Sequence, residues 1–254
     1  MKFGYQLSSV TPYLQTENEL REAMQKVAKV GYKWVQLQGA SYAIPNRAIA
    51  DAMKDAGLSC VAMQEDFPTD FGDKADKAIE RAAECGCGYL TFAAFPCRFE
   101  TVEDVERYAD SLIPVCEKAK AAGLVLCFHP IGPDFRPMDG VPVYERLLSR
   151  LPSDVQLTFC VRSCFGSGLQ PVDILKKYAG RVDLVHFKEA KIQPDGRPQL
   201  VPLGEGDTDW ASIAADCERA SVKYVFAEQE RWERDAFDCA AASYRYLTDL
   251  GCFN

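Results

Sequence analysis

The chain has 254 residues, 48% hydrophobic and 26% charged, which is long enough for one large α/β domain with a sizeable core. Its formal net charge is −8, and no Lys/Arg cluster interrupts that balance, so nucleic acid is set aside as a partner. No apolar run approaches the roughly 18 residues of a spanning helix, and residues 1–7 lack an apolar leader region, so the expectation is a cytoplasmic protein with no membrane partner.

Residues 2–7 form the first β-rich run. A helical periodicity over residues 19–30 stops at Gly31, and residues 33–38 read as the second strand. Residues 48–56 predict a helix closed by Gly57, followed by a strand over 59–64; residues 73–84 predict a helix leading to a strand over 88–93. The longest amphipathic run, residues 102–122, stops at Gly123 before a strand over 124–129. The unit then recurs: helix 144–150 with strand 155–160, helix 171–179 with strand 182–187, and helix 210–220 with strand 224–228. Pro171 suits a first helical position, Gly180 closes its helix, and a last helix over 236–250 stops at Gly251.

Eight strand–helix units over this length predict a single-domain (β/α)₈ TIM barrel spanning residues 1–254. A doubly wound open sheet is the rival arrangement; it lacks support because no G-x-G-x-x-G follows the first strand and no Gly-Lys-Ser/Thr loop occurs. The 11 cysteines are spread through apolar segments; neither Cys85 and Cys87 nor Cys160 and Cys164 has C-x-x-C spacing, and most read as small buried hydrophobes in a reducing compartment.

Only two histidines occur, and each closes a predicted strand: His129 and His186. In a parallel barrel the carboxyl ends of the strands meet around one mouth, whatever their separation in sequence. The residues brought there are Gln6, Gln36, Gln38, Glu65, Asp66, His129, Cys160, His186, Lys188, Glu228 and Glu230. Imidazole, carboxylate and thiolate are all competent ligands for a divalent metal, although no local spacing motif demands one.

Five segments in order resemble the sugar phosphate isomerase/epimerase family, whose members are xylose isomerase-like TIM barrels. The stretch over residues 166–189, ending in Val-His-Phe-Lys-Glu, resembles that family's region closing in His-Leu-Lys-Asp. Downstream, residues 202–210 resemble its Leu-Gly-Glu-Gly…Asp-Trp segment, and residues 225–230 its Val-Glu-Gln-Asp strand end. Residues 31–36 are similar to Gly-Tyr-x-x-Val-Glu, and residues 128–135 to Tyr-His-Asn-His-Asp-Phe-Glu-Phe.

The resemblance implies one divalent ion, often manganese, held by two glutamates, an aspartate and a histidine. Carried over by position, His186 matches the histidine and Glu228 the last glutamate. Cys160 falls on the aspartate position, and the fifth-strand position is held by His129, or by Asp134 if the loop folds back. Gln36 stands in place of a glutamate and Ile131 in place of a second histidine. A donor set with fewer carboxylates and one sulfur is softer and suits zinc or iron better than manganese.

The activity implied is proton abstraction beside a carbonyl of a small sugar or sugar derivative, with Glu228, Lys188 and His129 as the catalytic candidates. Gln36, Glu65, Arg162, Glu230 and Trp232 are the substrate-binding candidates; Arg162 and Lys188 could receive a phosphate or carboxylate, while the absence of a glycine-rich phosphate loop leaves a neutral sugar equally open. Related barrels dehydrate keto-sugars or cleave 3-keto glycosides, and a non-catalytic carbohydrate-binding or partner subunit with a decayed metal site is the alternative from another class. The apurinic endonuclease type within the same superfamily is set aside, because its three-zinc site needs more than two histidines. Family members often pair, so a homodimer is the expected assembly.

Overall fold

The computed structural model describes residues 1–69, 71–94, 97 and 99–253. Twelve strands occur among them: β1 (Lys2–Gln6), β2 (Trp34–Leu37), β3 (Ser59–Asp66), β4 (Tyr89–Ala93), β5 (Val125–Phe128), β6 (Pro137–Met138), β7 (Val141–Pro142), β8 (Gln156–Cys160), β9 (Leu184–Phe187), β10 (Glu189–Ile192), β11 (Pro198–Val201) and β12 (Tyr224–Ala227). The helices are α1 (Glu17–Val30), α2 (Asn46–Asp55), α3 (Gly72–Glu84), α4 (Val102–Ala121), α5 (Val143–Arg150), α6 (Val161–Gly166), α7 (Pro171–Lys177), α8 (Trp210–Arg219) and α9 (Ala236–Leu250).

Eight of the strands close into a barrel in the order β1-β12-β9-β8-β5-β4-β3-β2. All neighbours are parallel. β1 completes the ring by pairing with β12 on one side (Lys2 with Tyr224) and with β2 on the other (Gln6 with Gln36). Closure rules out the open doubly wound sheet, whose two edge strands would each have one neighbour. Among the described residues no helix is long and apolar enough to cross a membrane.

The elements follow from local chemistry. Thr16 caps α1 in a reciprocal box with Glu19: the threonine hydroxyl accepts from the Glu19 amide, and the glutamate accepts from the Thr16 amide at 3.0 Å. Thr101 and Asp104 repeat the device at α4. At the other end of that helix Gly123 takes φ of 77°, the left-handed geometry that ends the α-helix.

Period-two alternation along the barrel strands separates two sets of residues. Val35, Met63, Leu90, Phe92, Phe128, Phe159, Val185 and Val225 belong to the main core. Ala62, Cys127, Leu184 and Phe226 form a separate apolar cluster that plugs the barrel interior. Two residues further along the same strands stand Gln64, His129, His186 and Glu228. Alternation therefore carries the interior face upward from an apolar plug to a polar mouth. Among the described residues, departures from simple strand–helix alternation include 3-10 segments over Leu7–Tyr13 and Gly132–Phe135, the short β6–β7 hairpin, the two helices α6 and α7 between β8 and β9, and the β10–β11 hairpin that stands beyond β9.

Candidate metal centre and active site

At the mouth, His129 follows β5, Cys160 ends β8 and His186 lies on β9; their ligand atoms all fall within 4.8 Å of one another, and all three residues are buried. The two imidazole rings have centroids 4.8 Å apart. Among the described residues neither ring nitrogen of His129 has a hydrogen-bond partner, nor do His186 Nδ1 and Glu228 Oε2. The last two lie 3.3 Å apart. Two ligands on a tetrahedral ion with bonds of roughly 2 Å sit about 3.4 Å from each other, so this spacing is one that a shared cation would satisfy.

The orientation of His186 is fixed from behind. Gln36 Oε1 is 2.7 Å from His186 Nε2, and both side chains are fully buried. Gln36 Nε2 in turn donates to Thr91 Oγ1 at 3.4 Å, and Thr91 shares a hydrogen bond of 2.9 Å with Thr158 Oγ1. With the amide nitrogen committed to Thr91, its oxygen is the end that faces the ring, and an amide oxygen only accepts. The Nε2 position therefore carries a proton, and Nδ1 points its lone pair, or a second proton, toward Glu228.

Opposite charges pair closely at this point. Burial pushes the His186 imidazole down, yet the Glu228 carboxylate, assisted by Cys160, lifts it to about 9. Burial would likewise raise the Cys160 thiol, but the imidazoles of His129 and His186 outweigh it and hold the thiol well below its ordinary value. Glu228 resists burial in the same way: Lys188 and then His186 hold its carboxyl well below the usual range. A cation held here would take the place of the proton on His186, and the lowered Cys160 thiol would offer it a thiolate. The donor set therefore fits a divalent ion, and the sulfur and nitrogen ligands fit zinc better than manganese.

A second group adjoins this cluster. Glu228 Oε1 accepts from Ser8 Oγ at 3.3 Å and lies 3.8 Å from Lys188 Nζ. Lys188 also bonds Glu230 Oε1, while Glu230 Oε2 is buried without a partner among the described residues. Burial, together with the neighbouring Glu228 charge, lifts the Glu230 carboxyl to about 7. Lys188 and Glu230 line a cavity of about 670 Å³ that the β10–β11 hairpin walls on one side and Arg162, on the first turn of α6, borders on another.

Other sequence candidates take different places. Asp134 stands apart from the cluster: its carboxylate accepts from the Ile131 amide at 2.8 Å, closing a 3-10 turn over Gly132–Phe135. The loop does not fold back to the mouth, which leaves the fifth-strand position to His129. Glu65 accepts from Tyr42 Oη at 2.8 Å and pairs with Lys74 at 3.0 Å. Trp232 donates its indole N–H to the carbonyls of Ser9 and Gln229 at 2.9 and 3.0 Å, which fastens the chain after β12 onto the Leu7–Tyr13 segment. Gln6 donates to Gln38 Oε1 at 3.0 Å.

Two contributions escaped sequence reasoning. Ser8 and Ser9 reach the site because the chain after β1 turns at once into a 3-10 segment; Ser9 Oγ accepts from the Gln229 amide at 2.8 Å. Glu189 lies in a segment that resembles the family, yet it faces the loop after β11. Its buried carboxylate accepts from the amides of Gly204 (2.7 Å) and Thr208 (3.0 Å) and from the Trp210 indole (2.7 Å). A Cβ at Gly206 would come within 2.6 Å of the same carboxylate. The Leu-Gly-Glu-Gly-Asp-Thr-Asp-Trp segment thus wraps a buried anion and supports the hairpin at the mouth.

A closed parallel barrel with a polar, ligand-rich mouth at the strand carboxyl ends defines a TIM-barrel protein with a candidate divalent-metal centre. The family model for the xylose isomerase-like TIM barrel matches residues 24–236, and the chain belongs to that family. Similar solved structures include a sugar phosphate isomerase/epimerase of Parabacteroides distasonis, with 19% identity over 100% of this chain and 97% of the other and a TM-score of 0.81. An L-ribulose 3-epimerase aligns with 15% identity over 98% and 94% of the two chains at a TM-score of 0.78. The IolI protein, solved with a bound zinc atom, aligns with 14% identity over 98% of each chain at 0.75. These identities show a common fold. A search of curated proteins found no match to this sequence.

Proposed function

We propose that this protein is a sugar or sugar-derivative isomerase/epimerase that moves a proton at the carbon beside a carbonyl. The observation that carries the reading is the convergence of unpartnered buried donors on His129, His186 and Glu228 around the Cys160 thiol, next to a Lys188–Glu230 pair facing a cavity. Its setting in an isomerase/epimerase-rich fold supports the same reading. His129, Cys160 and His186 would hold a zinc-type ion, with Glu228 Oε2 turned to the same space; when bound, such an ion polarises the substrate's carbonyl and hydroxyl oxygens.

The chain's own residues supply the proton chemistry. Glu228, kept ionised by Lys188 and His186, is a poor base and serves to hold charge in place. Glu230 is the better placed base: it lines the cavity, and Lys188 holds its carboxyl there to accept the proton when the substrate C–H bond breaks. The electron pair moves into the enediolate, and the Lys188 ammonium stabilises the oxygen that becomes negative. Return of the proton by Glu230 to the neighbouring carbon isomerises the sugar; epimerisation requires a second acid that delivers a proton to the opposite face of the same carbon while Glu230 keeps the one it removed.

Deuterium incorporation beside the carbonyl, followed by NMR for the metal-loaded protein with a panel of keto- and aldo-sugars in D₂O, tests this. Exchange is expected with at least one substrate and should fall by about 10²–10⁴ in Glu230→Gln. Absence of exchange across the panel with metal bound contradicts the reading.

A further inference from the structure

Resting on that reading of the site, the cavity beside the Lys188–Glu230 pair narrows the substrate class. Its ionic residues are mostly matched to one another. Arg197 pairs with Asp195 at 2.6 Å within the hairpin turn, and Lys188 is bound by Glu230. Arg231 and Glu233 on the same wall also have no ion pair among the described residues, but both are exposed; Arg162 is set apart by its burial. It is half-buried, it lines the cavity wall, and among the described residues it has no ion pair.

A guanidinium partly withdrawn from water, in a chain with 37 acidic residues, is normally neutralised by a carboxylate; leaving it without one costs solvation that a ligand can restore. Position adds to this. Arg162 follows Cys160 by two residues on the first turn of α6, so a group bound to it lies at the rim of the same mouth as the metal centre and the proposed base.

We infer that Arg162 binds a carboxylate on the substrate, so that the substrate is a monoanionic sugar acid rather than a neutral sugar or a sugar phosphate. The planar fork of a guanidinium matches the two oxygens of a carboxylate. A phosphate dianion calls for more positive charge than one half-buried arginine supplies; Arg231 lines the same wall but is exposed, and Glu230 and Glu233 offset its charge. The sequence also contains no glycine-rich loop whose amides would cradle a phosphate.

The test is a binding measurement that does not depend on turnover. Titration calorimetry with gluconate, glucitol and glucose 6-phosphate as probes compares wild type with Arg162→Met and Arg162→Lys, with circular dichroism melts to verify folding. Gluconate is expected to bind wild type more tightly than either other probe, to weaken by about 10–100-fold in Arg162→Met, and to weaken by less in Arg162→Lys. Glucitol binding should not change. The inference is overturned if gluconate fails to bind wild type, if its affinity survives Arg162→Met, or if glucose 6-phosphate binds more tightly through Arg162. Failure of proton exchange with every sugar would remove the isomerase reading and leave an Arg162-dependent carboxylate site standing.

Discussion

Replacing Gln36 by leucine removes the group that turns His186 toward the mouth while leaving the His129–Cys160–His186 donor set intact. The 2.7 Å contact from Gln36 Oε1 is the partner of Nε2, and both residues have 0% exposure, so no water replaces it. The contact with Thr91 is longer, at 3.4 Å, and contributes less. An orphaned buried N–H costs about 1–3 kcal/mol, which for a chain of this size lowers the melting temperature by about 2–10 °C. Loss of an orienting partner behind a metal-bound histidine weakens metal binding by about 10–100-fold. Zinc affinity measured by competition with a chromophoric chelator should show that drop in Gln36→Leu and recovery in Gln36→Glu, whose carboxylate again accepts from Nε2–H. Wild-type affinity in Gln36→Leu would refute the assignment of Nδ1 as the metal-facing nitrogen.

Two further outcomes concern stability. Glu189→Gln puts an amide nitrogen against donors that now share one carboxylate, and should destabilise the protein by about 2–4 kcal/mol in denaturant titration; an unchanged midpoint would show that the loop after β11 does not depend on that anion. Asp134 is raised by burial from 3.8 to about 6, so its ionised form is disfavoured in the folded state. That penalty, about 3 kcal/mol at most, is fully present above pH 6 and disappears as the pH falls toward 4. Asp134→Asn keeps an acceptor for the Ile131 amide and should stabilise the protein at pH 7.5 but not at pH 4; equal effects at both values would contradict the buried-carboxylate account.

The barrel was legible because its strand–helix units are short and regular: glycines such as Gly57 and Gly123 stop helices where the left-handed conformation is needed, and the apolar strands follow within a few residues. The site was legible where strand ends carry polar residues in step with the inward face, as Thr158 and Cys160, Leu184 and His186, and Phe226 and Glu228 do. What sequence could not supply is partner identity across the barrel. Gln36 and His186 are 150 positions apart, and only closure of the sheet puts an amide oxygen on Nε2. Ser8 was hidden because its 3-10 segment has no apolar periodicity, and His129 and Asp134 stayed open as alternatives because a capping carboxylate and a ligating one look alike in sequence. The hairpin wall of the cavity was missed because two four-residue strands between β9 and α8 read as an ordinary polar loop.

The chemistry of the mouth turns on whether Cys160 and the two histidines hold one ion. Cobalt(II) added to metal-free protein reports this by absorption, since a thiolate ligand adds a sulfur-to-cobalt charge-transfer band to the tetrahedral spectrum. One equivalent of cobalt should bind with that band in wild type, and the band should vanish in Cys160→Ser while His186→Ala abolishes tight binding. Cobalt that fails to bind, or that binds wild type without the thiolate band, would contradict a His129–Cys160–His186 centre.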